Sequence, residues 1–163
     1  GLPVRFTVDL TLLETKWKAL QSVAHPDRFA SHGASAQRLA VQWAVRINEA
    51  YRRLKNPLAR ATYLCELHEM DVEGESNTAM PADFLMQQME WRDALSEAVD
   101  LHQVDALAKD VAATRRTALK TLQAQIDEAS PVDWRSVAVS VRALMFIERF
   151  LTDIDRRIEA LQP

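Results

Sequence analysis

His25, Pro26 and Asp27 stand in a row within residues 22–33, SVAHPDRFASHG. A histidine two residues from an aspartate suits acid–base chemistry or part of a metal site, because imidazole titrates near neutrality and a carboxylate can orient it. The same triplet can also do no chemistry. Proline fixes its own φ and pushes the residue before it out of the helical region, so the tripeptide is stiff and extended. Where such a turn joins two helices its tip is exposed. There the Asp27 carboxylate can make charge-assisted hydrogen bonds to an arginine on another protein, and Arg28 adds a cation beside it. A capped turn that merely reverses the chain is the plain alternative.

The remaining residues of chemical interest are sparse. His32, His68 and His102 pair with no cysteine, and no HExxH helix supplies a ligand cluster. A helical metal-dependent hydrolase is therefore the weaker, enzyme-class alternative, and the expectation is no catalytic residue, no metal and no cofactor. Cys65 sits between Leu64 and Glu66 with no base beside it, which fits a small buried thiol better than a nucleophile. One cysteine also excludes an intrachain disulfide framework, and a reducing, cytoplasmic location is expected.

The elements that position these residues read as helices throughout. The 163 residues include only 3 glycines and 6 prolines, and hydrophobic residues make up 48%. A net charge of -3 gives no basic footprint, so nucleic acid is not an expected partner. No apolar run approaches the roughly 18 residues of a membrane span, no secretory-signal pattern is visible, and no membrane partner is expected. Asp9 can cap a helix with apolar positions Leu10, Leu13, Trp17, Leu20 and Ala24, which must stop near His25. A second helix, over about 35–54, carries Leu39, Trp43, Ile47, Tyr51 and Leu54 as its core stripe. Asn56-Pro57 reads as an N-cap followed by proline at the first helical position, opening a third helix. Residues 71–81, DVEGESNTAMP, lose the periodicity and form the expected linker between domains at 1–70 and 82–163. Three further helices, over about 82–100, 103–129 and 132–161, predict a three-helix bundle. The last holds a seam of Leu144, Ile147, Leu151, Ile154, Ile158 and Leu161.

The first helix of that bundle has more apolar surface than a core requires. In FLMQQMEWRDAL, with Phe84 at zero, Phe84, Gln88, Trp91, Leu95 and Ala98 fall within about 40° of one another at ~100° per residue. Leu85, Met86 and Met89 lie well off that stripe, bordered by Glu90 and Asp93. A methionine-rich second face edged by carboxylates suits protein binding, whereas a wide core face is the other explanation. On the last helix Val139, Phe146 and Phe150 likewise fall beside the seam, and Phe146 can extend the patch if the two helices are neighbours.

The order helix, HPD, polar loop, long helix, Asn-Pro and helix resembles the J-domain of DnaJ-type co-chaperones. The segments GLPVRF, HPDRFA, INEAYRRLKNPLARATYL and FLMQQMEWRDAL together resemble the HscB family, J-domain co-chaperones of iron–sulfur cluster assembly. The resemblance implies an all-α fold, an N-terminal J-domain and a C-terminal three-helix bundle. It implies that His25, Pro26, Asp27 and Arg28, aided by Lys16 and Lys18, contact a DnaK-type chaperone, HscA, and stimulate its ATPase. It also implies that Leu85, Met86, Met89, Glu90, Asp93 and Phe146 bind the cluster scaffold IscU. A J-domain protein with a different client is the alternative. Ala24 departs from the tyrosine frequent before HPD, and the aromatic residues expected upstream of Gly1 are absent from this sequence. The cysteine-rich module of some eukaryotic members is also missing, which points to the bacterial type.

Overall fold

The structure, a computed structural model, describes residues 2–72 and 80–162. The described residues form helices α1 (Leu10–Ala24), α2 (Ala34–Lys55), α3 (Pro57–Leu67), α4 (Ala82–Glu97), α5 (Leu101–Gln123) and α6 (Trp134–Leu161). A 3-10 turn, Pro26–His32, joins α1 to α2, and a π-helical turn, Ala124–Glu128, continues α5. No strand occurs among the described residues, so the all-α expectation holds. By their contacts the residues form two compact units, Gly1–Leu64 and Cys65–Pro163. Of the linker expected at 71–81, residues 73–79 lie outside the described residues.

In the first unit Asp9 caps α1 as expected, accepting from the Thr11 and Leu12 amides at 2.9 and 3.0 Å. Asn56 caps α3, its Oδ1 accepting from the Ala59 amide at 2.9 Å. The α1–α2 hairpin is held by Trp17, which stacks on Tyr51 with ring centroids 4.6 Å apart and donates to Asn48 at 3.0 Å. Arg60 is buried and bonded to the backbone. Its Nε donates to the Phe6 carbonyl at 2.6 Å, and its Nη1 donates to the Leu54 carbonyl. It thereby supplies a partner to one of the carbonyls that the end of α2 leaves without one. The expected core stripes are only half right. Leu13 is buried, but Leu10 and Leu20 on α1 and Leu39 and Trp43 on α2 are exposed, and α2 buries only Ala40. Periodicity identifies the apolar side of a helix, not whether anything covers it.

The second unit is a three-helix bundle. Val104, Val111, Leu122 and Ile126 face Val137, Val141, Leu144, Ile147, Phe150 and Ile154 across the α5–α6 pair, all buried. Leu151, Ile158 and Leu161, the remainder of the expected seam, are half-buried. Helix α4 enters this core through Trp91, and Ala98, just past its end, joins it. Trp91 stacks on Phe150 at 5.7 Å and donates its indole N–H to Asp110 at 2.9 Å. Phe150 is therefore core, contrary to its position beside the seam on the wheel. A helix packed against two neighbours buries a wider face than a single stripe. Asp100 and Asp133 cap α5 and α6, and Arg157 donates to the Ala98 carbonyl at 2.8 Å, tying the end of α4 to α6.

Candidate functional site

The candidate site residues fall into two groups. The first is the tip of the α1–α2 hairpin. Pro26 begins the 3-10 turn, and His25 before it is extended, with φ -61° and ψ 127°, as a residue preceding proline should be. Asp27 is 89% exposed at its side chain and His25 55%, with His25 Nδ1 3.6 Å from Asp27 Oδ2. Arg28 turns back, its Nη1 donating to the Ser22 carbonyl at 3.2 Å. This latch had no sequence signal, because Ser22 accepts through its backbone. Lys18 is exposed and pairs with Glu14 at 2.7 Å. The pairing raises the Lys18 ammonium and lowers the Glu14 carboxyl relative to their ordinary values, through the hydrogen bond and the mutual charge. Lys16 is half-buried beside Leu13 and Trp17 at an apolar groove between α1 and α2. The two lysines therefore differ in their freedom to meet a partner.

The second group lies on α4. Leu85 is 44% exposed, Met86 63% and Met89 64%, while Trp91 on the opposite side is 4% exposed. The helix thus has two apolar faces, and only one is covered. Glu90 and Asp93 are exposed on the uncovered side. Phe146 comes from α6 and is half-buried rather than open. Its ring meets Phe84 edge-on at 5.9 Å and stacks on Phe150 at 5.9 Å, and the Arg92 guanidinium lies 5.6 Å from its centroid. Arg92 was missed in the sequence. Its contact depends on the α4–α6 pairing, which a single helical wheel does not contain.

The remaining chemistry-bearing residues assemble nothing further. No group of His, Cys, Asp and Glu able to hold a metal occurs among the described residues. Cys65 is fully buried, and burial pushes its thiol up to about 11 against the opposing charge of Arg142. That suits an inert core thiol. The charges, however, divide sharply. The first unit carries ten Lys and Arg against four Asp and Glu, a net of +6, and the second ten against nineteen, a net of -9. Among the described residues no helix is long and apolar enough to cross a membrane.

Residues 80–155 match the family described as the HSCB C-terminal oligomerisation domain. A co-chaperone protein HscB homolog of Cupriavidus taiwanensis is 46% identical over 99% of this chain and 92% of its own length. A homolog of the same name from Burkholderia mallei is also 46% identical, over 99% of this chain. Among solved structures, the chaperone HscB from Vibrio cholerae superposes with a TM-score of 0.82 at 34% identity, covering 99% of this chain and 96% of its own. The crystal structure of the human co-chaperone protein HscB shares the fold, with a TM-score of 0.82 at 23% identity over 97% of this chain and 77% of its own. The chain belongs to the HscB family of co-chaperones.

Proposed function

We propose that this member of the HscB family couples two proteins and catalyses nothing itself. Residues 82–163 bind the cluster scaffold IscU, and residues 1–70 dock on the DnaK-type chaperone HscA and stimulate its ATPase, in the cytoplasm. The observation that carries this reading is the second apolar face of α4. Leu85, Met86 and Met89 stand outward between Glu90 and Asp93, away from the core side that Trp91 fills. Adaptable thioethers bordered by carboxylates fit a partner surface of mixed apolar and basic character. Phe146, half-buried against Phe84 and Phe150 with Arg92 over its ring, is assigned as the aromatic anchor of the same partner surface. At the tip, Asp27 presents an exposed carboxylate on a proline-stiffened turn, with His25, Pro26 and Arg28 around it. Lys16 and Lys18 add positive charge on α1. Tethering raises the effective concentration of scaffold at the chaperone, and tip docking shifts the chaperone toward hydrolysis. The ATPase chemistry belongs to the partner.

The test is a titration of the purified protein against IscU with HscA ATPase as readout. Asp27→Ala should lower stimulation by at least about tenfold, as loss of a charge-assisted contact of ~1.5–3 kcal/mol implies, while leaving scaffold affinity unchanged. Leu85→Ala with Met89→Ala should weaken scaffold binding by about tenfold or more, the loss expected of anchor residues, and spare stimulation measured without scaffold. If the tip variant lost scaffold binding to the same degree while remaining folded, the two-surface reading would be wrong.

A further inference from the structure

The tip residues differ in what they bond to. The 3-10 turn that starts at Pro26 must find partners for its first backbone N–H groups. Pro26 has none to satisfy. The Asp27 N–H donates to His25 Nδ1 at 3.3 Å, and the Arg28 N–H donates to the His25 carbonyl at 3.1 Å. One residue therefore caps both. His25 can do so because it precedes proline and so holds an extended backbone, the conformation of an N-cap residue. On the other side of the turn, Arg28 closes on the Ser22 carbonyl in the last turn of α1. Between these two ties the Asp27 side chain is 89% exposed, with its Oδ2 3.6 Å from the same His25 Nδ1.

We propose that His25 is a positioning residue. Its Nδ1 and carbonyl set the turn, and the turn aims the Asp27 carboxylate. An imidazole that accepts at Nδ1 carries its proton on Nε2 when neutral. Nδ1 is thus occupied within the chain and is not available to a partner. This inference rests on the docking role given above to Asp27, and it deepens that role by assigning a different task to its neighbour.

Asparagine places its Oδ1 where the imidazole places Nδ1 and is itself a favoured N-cap, whereas glutamine reaches the Nε2 position and leaves the Nδ1 position empty. In the 163-residue chain, His25→Asn should therefore retain ATPase stimulation of HscA about fivefold or more above His25→Gln, the ratio that loss of a cap of ~1 kcal/mol implies. Long-range nitrogen–proton NMR of the free protein should show the neutral His25 ring protonated at Nε2. The Asp27 amide shift should be shared by the wild type and His25→Asn and lost in His25→Gln. Equal stimulation by the two variants, at any level, overturns the positioning role, and so does a ring protonated at Nδ1. A wild-type chain that fails to stimulate the chaperone sinks the docking reading instead. The ring tautomer and the Asp27 amide shift then still decide whether His25 caps the turn.

Discussion

The two units of this chain dispose of their apolar residues in opposite ways. Among the described residues the second unit buries fifteen hydrophobic side chains and the first only five. The first unit exposes nine large hydrophobics and the second six. The kind of exposure differs as well. In the first unit Leu20, Val23, Leu39 and Trp43 line a concave groove of about 400 Å³ with scarcely a polar atom in it. In the second, Leu85, Met86 and Met89 stand on the outside of α4 among carboxylates. An exposed apolar residue by itself says little about binding. A second face on a helix whose first face is already buried says much more, because folding has no use for it.

That contrast can be broken most directly at the cores. Phe150→Ala should destabilise the second unit by about 3–5 kcal/mol, since it empties a fully packed site against Trp91. Leu39→Ala should cost the first unit no more than about 0.5 kcal/mol, the usual size for an exposed position. Denaturant unfolding can follow each unit by its own tryptophans, Trp17 and Trp43 in the first, Trp91 and Trp134 in the second. A Leu39→Ala cost near 2 kcal/mol would mean that the groove is packed in solution, and the contrast would collapse.

The cores also show what could be read in the sequence and what could not. Helix ends were legible because they depend on neighbours in the chain. Asp9, Asn56-Pro57 and His25-Pro26 act within three residues: the caps at Asp9 and Asn56 form where expected, and α1 stops at Ala24, just before His25. The two faces of α4 were legible because both follow from the period of one helix. The burial of Phe150 and the half-burial of Phe146 were not, since they depend on how α4 meets α6. Nor was the exposure of Leu39 and Trp43, which depends on what packs against α2 rather than on α2 itself. At the candidate tip the stiffness of His-Pro-Asp was readable. The use of His25 Nδ1 as a cap and of Arg28 as a latch was not: histidine is not among the favoured N-cap residues, and the latch ends on a backbone carbonyl that every residue possesses.

Charge provides a smaller test of the same contrast. The first unit, at +6, presents Arg38, Arg46 and Arg52 exposed along α2, whereas the uncovered face of α4 is mainly thioether and leucine. Exposed charges are screened beyond ~10 Å at 0.1 M salt, and apolar burial is not. Raising salt from about 0.05 M to about 0.5 M should therefore cut chaperone stimulation several-fold and scaffold affinity by less than about twofold. A reversed order, with scaffold binding the more salt-sensitive, would make Glu90 and Asp93 rather than the methionines the main contacts on α4.

The smallest effect concerns how each unit starts a helix. In the first, Asn56 caps α3 with a group that does not titrate. In the second, Asp133 caps α6, accepting from the Arg135 and Ser136 amides at 3.1 and 3.4 Å and from the Ser136 hydroxyl at 2.6 Å. The bonds from Ser136 come first among the causes that hold the Asp133 carboxyl below its ordinary value. A carboxyl lowered by folding contributes stability that is fully present above its unfolded value, near 3.9, and is lost as pH falls through the lower folded one. The amide shifts of Arg135 and Ser136 should accordingly titrate with a midpoint below about 3.9, while that of Ala59, bonded to Asn56, stays flat. Asp133→Asn should keep the cap and abolish the titration, because asparagine offers the same acceptor without the proton. A midpoint at or above the ordinary carboxylate value would show that Ser136 does not hold the ionised form. The two units would then begin their helices with equal indifference to acid.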